Sequence, residues 1–413
     1  MGSYPQYVPV FASGGNIYQG AYDGYSIWIP VFYAATKSLV RLRASDGAYL
    51  STAGAVVATL AEATITLPEI CGGICTDGTY LYIQSSATAS IFRRLCSDGS
   101  QVGGAIATTS WVNPGGAVFA AGYAWFPGAA PYIYRVSPAG GVTAFNIGAN
   151  VDSKAIKFDG TDLWVATDHG LKQVSLSGTV LASYFSAATV VTICEPAGAN
   201  IWAFHDAQLT RLRRSDGAWI DAAGGISAIE VAYALSDAVA AQGLYWDGED
   251  LWASSVSSAS PNYRVVRLRG DTGVPVETLT TPYGACRAIV RAVNNLWFIT
   301  GPSQYNPAVA WRYQGFLSPV VPNLTDVSPG AGPHISLTFD NAVGITGPTI
   351  GAAADGLGVT GATQISATQI DLACAIRPDH PDGDADNATL IPPIGEADPL
   401  GPPVPTGVGA VQI

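Results

Sequence analysis

Hydrophobic and polar positions alternate in short runs along most of this chain, and the runs end in turns rich in Asp and Gly. The clearest stretch is 155–183, AIKFDGTDLWVATDHGLKQVSLSGTVLAS. An apolar run (155–158) enters an Asp-Gly turn, and a strand centred on Leu163, Trp164 and Val165 follows. A second turn at Asp168, His169 and Gly170 leads into the alternating run 171–176, a Ser-Gly turn, and a fourth run opening at Thr179. Period-two alternation broken by short turns predicts four antiparallel strands in a meander.

The same frame recurs seven times. It reads YDGYSIWIP at Trp28, TDGTYLYIQ at Tyr82, AAGYAWFPG at Trp125 and FDGTDLWVA at Trp164, then PAGANIWAF at Trp202, WDGEDLWAS at Trp252 and AVNNLWFIT at Trp297. The spacings of 54, 43, 39, 38, 50 and 45 residues bracket the roughly 40–50 residues of a four-stranded propeller blade. A second echo marks the third strand, as in LVRLRASDG, IFRRLCSDG, LTRLRRSDG and VVRLRGDTG. Its alternation sets one face on a neighbouring blade and the other in solvent, so Arg43, Arg213 and Arg269 are expected as solvated or paired edge residues. Unit seven supplies only three runs, around Ile289, Trp297 and Trp311, whereas the run 7–11 (YVPVF) is left over at the start. The expectation is that this N-terminal strand completes blade seven and closes the ring. Segment 231–242 (VAYALSDAVAAQ) has the one helix-like composition and reads equally well as an outer strand and a loop.

The frame "DG-x-LW-V … RL-x-x-x-DG" resembles propellers of the NHL, YncE and streptogramin-lyase type, over about residues 7–315. The resemblance implies an all-β, seven-bladed β-propeller over residues 1–317, but not a function, because such frames serve enzymes, binding modules and scaffolds. After a Pro-rich boundary (SPVVPNLTD), HISLTFDNAV and VTGATQISATQIDLACAI resemble bacterial Ig-like modules. That resemblance implies a small β-sandwich over 318–395. Residues 396–413 form a Pro/Gly-rich tail without enough apolar material for a core.

Composition narrows the partners. Charged residues are only 12% of the 413, against 48% apolar, which points to surfaces covered by subunit or domain contacts. No apolar run is long enough to span a bilayer, so no membrane insertion is expected. A net charge of −12 argues against wrapping nucleic acid or an anionic membrane. The start, MGSY, has no basic segment leading into an apolar one, so no secretory signal is expected. Cys71, Cys75, Cys96, Cys194, Cys286 and Cys374 lack CxxC spacing and read as buried apolar thiols rather than a zinc or disulfide framework.

Candidate chemistry is sparse. The lyase resemblance implies catalytic His and Glu facing a central channel. The matching segments here are WVAT (164–167), WAFH (202–205) and WFIT (297–300), so His205 alone is near such a position. Glu195, on the adjacent strand, is its candidate acid/base partner; His169, His334 and His380 lie in unrelated contexts. The acidic loop carrying Asp382, Asp384 and Asp386 is a candidate Ca²⁺ site, since alternate carboxylates can converge on a hard cation; it lacks the EF-hand glycine. No other cofactor is expected. Asp23, Asp77, Asp159 and Asp247 recur at the blade period, which marks turn chemistry. Tyr4, Tyr7, Tyr25, Tyr263 and Tyr305 could stack on sugars or line a protein interface.

Three functional classes follow. The first is a non-enzymatic structural protein of a bacteriophage virion (tail, neck or capsid decoration), because Ig-like modules of this kind are frequent on virions. Its partners would be other structural proteins or further copies of itself. The second is a module binding host-surface glycan, in a virion or at a cell surface. The third is a lyase or hydrolase of the propeller type.

Overall fold

A computed structural model of the chain divides into two compact units, Met1–Ser318 and Pro319–Ile413. It describes residues 6–10, 17–33, 36–85, 87–109, 116–228, 230–233, 238–240, 243–257, 263–281, 284–293, 295–301 and 308–313, and beyond these only the backbone of seven strands between 324 and 412. Among the described residues all regular structure is β-strand.

The first unit is seven antiparallel sheets. Blade four shows the plan, running outward as Ser153–Phe158, Leu163–Thr167, Gly170–Val174 and Val180–Tyr184. Its second strand is buried at every position, because both of its faces meet neighbouring blades, while its outermost strand alternates between half-buried and exposed. Blade seven runs Cys286–Ala292, Asn295–Thr300, Val309–Tyr313 and then Gln6–Pro9, paired antiparallel from Gln6 opposite Arg312 to Pro9 opposite Val309. The N-terminal strand thus supplies the outer strand of the last blade.

Seven apolar clusters, one between each pair of adjacent blades, hold the ring together. The repeated aromatic of each blade always lies in the cluster shared with the following blade. Trp28 meets Leu81 and Phe92, Trp164 meets Cys194 and Ile201, and Trp252 meets Phe298 and Trp311. Trp297 closes the circle against Ile29 and Leu42 of blade one. Trp28, Trp125, Trp202 and Trp297 are fully buried, and truncating such a side chain to Ala typically costs about 3–5 kcal/mol.

Segment 231–242 contributes two short strands, Ala232–Tyr233 and Ala238–Ala240. Blade five departs from the plan: its third strand, Gln208–Arg213, pairs with both Trp219–Ile220 and Ala232–Tyr233. The residues between form a small hairpin, in which Ile226–Ser227 pairs back on Trp219–Ile220.

In the second unit, strands hydrogen-bond in the order Leu324–Pro329, His334–Phe339, Gln369–Ile376, Leu357–Ser366, Ala352–Ala354, Thr389–Leu390 and Val411–Gln412. All these pairs are antiparallel, and the Pro/Gly-rich tail contributes the last strand.

Candidate functional site

The Asp-Gly turns sit where the innermost strand of a blade passes into the second. In blades one, two, four and six the turn spans four residues between the last paired positions, for example Phe158 opposite Leu163. One carboxylate oxygen of Asp159 accepts the N–H groups of Thr161 and Asp162, and the other accepts the Trp164 indole N–H at 2.7 Å. Asp23 does the same for Trp28 at 2.6 Å, Asp77 for the Tyr82 hydroxyl at 2.8 Å, and Asp247 for Trp252 at 2.8 Å. All four carboxylates are therefore occupied within their own turns. Burial pushes the Asp159 carboxyl upward, but the Asp162 and Thr161 N–H groups, the indole and the Arg214 charge outweigh it and hold the group below its ordinary value.

Blades three, five and seven have two-residue turns without Asp. There the Trp125 indole reaches only the Ala120 carbonyl at 3.4 Å, and Trp297 donates to the Ala44 carbonyl of blade one at 3.0 Å. The Trp202 indole nitrogen is buried without a hydrogen-bond partner.

On the same face, the turns after the third strands lock neighbouring blades. The residue opposite the repeated aromatic is Arg in six blades and Gln173 in blade four. Arg41 stacks over Trp28 and donates to the Ser97 carbonyl of blade two at 2.8 Å. Arg135 donates to Leu176 of blade four at 3.2 Å, and Arg211 to Gly270 and Asp271 of blade six at 2.8 and 2.7 Å. Arg93 and Arg312 likewise reach the Pro138 and Ser45 carbonyls. These bonds join adjacent blades. The second arginine of the motif stays at its own turn: Arg43 pairs with Asp46, Arg213 with Asp216 and Arg269 with Asp271. They are paired edge residues.

The catalytic pair suggested by the lyase resemblance is not assembled. Glu195 lies opposite Trp202 and His205 opposite Val191, a separation of three strand positions, or about 10 Å. Glu195 instead pairs with Lys157 at 2.6 Å and accepts the Trp246 N–H at 3.2 Å. His205 is 4% exposed; its Nε2 lies 2.6 Å from Glu230 and its ring packs edge-on against Phe185. His169 contacts the neighbouring Asp168. Near the axis the Gln19 side chain ties blades together, donating to the Ala117 carbonyl and accepting the N–H groups of Ile74 and Ala117.

Asp382, Asp384 and Asp386 lie outside the described residues, as do His380, Tyr4 and Tyr305. Among the described residues no group of His, Cys, Asp and Glu is arranged to hold a metal ion. Five cysteines are free and buried; burial pushes the thiols of Cys71, Cys96, Cys194 and Cys286 up to about 12. Tyr25 is 51% exposed. A groove of about 320 Å³ lies at the closing seam, lined by Val8, Pro9, Gly47, Tyr49 and Val57 among others.

Sequence reasoning singled out the second arginine of RLR and missed the structural role of the first. The signal was present, since the first lies at the strand position paired with the aromatic. Gln19 and Glu230 carried no signal, because their contacts are made across blades or from an irregular segment.

The sheets and their closure define a seven-bladed β-propeller. No protein-family model matches the chain, and no curated protein matches it. Among solved structures it is similar to the WD40 β-propeller domain of Doa1, at 11% identity and a TM-score of 0.55, covering 76% of this chain and 98% of that one. It is also similar to the β-propeller domain of Myceliophteria thermophila Cps50 (Swd1), at 12% identity and a TM-score of 0.52, covering 74% and 99%. At such identities the likeness defines the fold alone.

Proposed function

We propose that this chain is a non-enzymatic interaction platform of a virion, in which the propeller is a rigid ring and the C-terminal module docks it into the assembly. The observation that carries the platform reading is where the propeller's polar groups go. Its repeated carboxylates cap their own turns, and its arginines join adjacent blades or pair at turns. Such a ring resists deformation and offers its loops as a fixed surface. The propeller architecture, commonly used as an interaction platform, agrees with this. The virion setting and the Ig-like nature of residues 318–395 are supported by the sequence resemblance, the low charge content and the Pro/Gly-rich tail.

The test is light scattering on the full chain and on residues 1–317. Assembly of the full chain, with the shortened form monomeric, is the expected result; monomers in both cases would remove self-assembly through the C-terminal module. Exposed Tyr25 favours a second reading, a glycan-binding module. Glycan-array binding that disappears in Tyr25→Ala would favour it over the first.

A further inference from the structure

Among the described residues, every lysine and arginine but one has a carboxylate, carbonyl, hydroxyl or other recorded partner. The exception is Arg287. It makes no hydrogen bond or ion pair with another described residue, and its Nε is buried without a partner. Burial lowers the pKa of the guanidinium, outweighing the opposing effect of Tyr18 and Tyr263. Among the described residues no carboxylate acts on it, in a chain whose net charge is −12. Arg287 is half-buried, and a partly desolvated guanidinium without a carboxylate beside it gains from a counter-ion.

Arg287 is the extra residue of a β-bulge, where the register of Cys286–Ala292 shifts between Cys286 and Ala288. The same bulge opens the innermost strands of blades two, four, five and six; it belongs to the blade plan, and in blade seven the residue it re-aims is an arginine. Gly301 makes room for it: a Cβ there would lie 3.1 Å from Arg287 Nε and 3.3 Å from Cγ. Strand direction places the neighbours on one face. Arg287 lies at the entry of an innermost strand, Tyr18 just ahead of another (Ala21–Tyr22), and Tyr263 at the start of a third strand. All three belong to the face opposite the Asp-Gly turns.

We propose that Arg287, on the face that also carries Tyr18 and Tyr263, anchors a single carboxylate presented by a partner polypeptide. The inference rests on the platform reading and names its contact. A guanidinium fork matches a carboxylate in two parallel hydrogen bonds. One cation offsets one negative charge, which suits a monocarboxylate better than a phosphate dianion. The net charge of the chain repels a polyacidic tract. Arg and Tyr together are the residue types that concentrate binding energy at protein interfaces.

The experiment titrates the full chain with acetyl-Gly-Glu-Gly-amide, its Gln counterpart and glucuronate, followed by ligand-observed NMR, on wild type and Arg287→Gln. Saturable binding of the Glu peptide is expected, weakened about tenfold or more by Arg287→Gln and by Glu→Gln in the peptide. The melting temperature of Arg287→Gln should equal or exceed that of wild type, since an uncompensated charge has been removed. Equal binding by the two proteins, equal binding of the Glu and Gln peptides by wild type, or no saturation would overturn the proposal. So would a melting temperature several degrees lower, which would make Arg287 structural. Arg287-dependent binding of glucuronate alone would replace the polypeptide with an acidic sugar. The peptide pair tests wild type and does not depend on the variant folding. Monomers in every form with Arg287 still binding the Glu peptide would remove self-assembly through the C-terminal module and leave the anchor. Assembly without peptide binding would defeat the anchor alone.

Discussion

Asp159 and Trp164 are joined by a 2.7 Å hydrogen bond from the indole N–H to the carboxylate that also closes their turn. Blade five has no equivalent bond, and the Trp202 indole nitrogen is buried without a partner. Trp164→Phe should therefore cost about 1–3 kcal/mol more than Trp202→Phe, because only the first removes a charged hydrogen bond. Urea unfolding of the two variants measures the difference. Equal losses would mean that the bond contributes nothing net.

The same carboxylate predicts a pH dependence. The Asp159 pKa is lower in the folded chain than its ordinary value of 3.8. Its contribution is present in full above that value and is lost as pH falls through the folded pKa. Asp159→Asn should flatten the loss of stability below about pH 4 while lowering stability at pH 7. An unchanged acid limb in urea midpoints taken from pH 7 to pH 2 would count against it.

Turn glycines should differ in cost according to what they face. Gly217 has φ +71° and its Cβ direction runs into the Tyr184 ring of blade four, whereas Gly160 has φ +98° and open space. Gly160→Ala should cost about 1 kcal/mol from backbone strain alone. Gly217→Ala should cost about 2–4 kcal/mol, since overpacking is added. Thermal melts rank them, and an equal cost would remove the steric part.

Closure through the N-terminal strand predicts a defect of its own. Val8 is 6% exposed and packs in the cluster that holds Trp297. Val8→Asp buries an unpaired carboxylate and should detach the strand, baring the Val309–Tyr313 edge to other chains. Light scattering should show concentration-dependent association of the variant that wild type lacks under the same conditions, beyond any assembly of its own.

The buried thiols should be inert in the folded chain. With pKa values of about 12 for Cys71, Cys194 and Cys286, thiolate is about a thousandfold scarcer than for a free thiol at pH 8. In a Cys374→Ser background, a disulfide-exchange reagent should label the propeller only after denaturant is added. Rapid labelling without denaturant would mean that the ring opens.

Several features were legible in the sequence because they repeat at the period of the fold. The Asp-Gly turn, the following aromatic and the RLR motif each answer to a local rule of turn geometry or alternation, so seven copies reinforce one another. The leftover strand at the start was legible by arithmetic, since each blade takes four strands and unit seven supplied three. The local pattern also fixed the occupation of Asp159 by its own turn, which needs only residues within five positions.

What tertiary structure alone decided depends on distances between residues far apart in the chain. Glu195 and His205 are ten residues apart in sequence, yet register holds them at different levels of blade five, each with its own partner. Gln19 meets Ala117 across 98 positions. Arg287 looks in sequence like any strand arginine; the bulge, Gly301 and the lack of a carboxylate beside it become visible only when the ring is closed. Periodicity specifies which face a side chain takes, whereas charge compensation depends on every neighbour that the closed ring brings within reach.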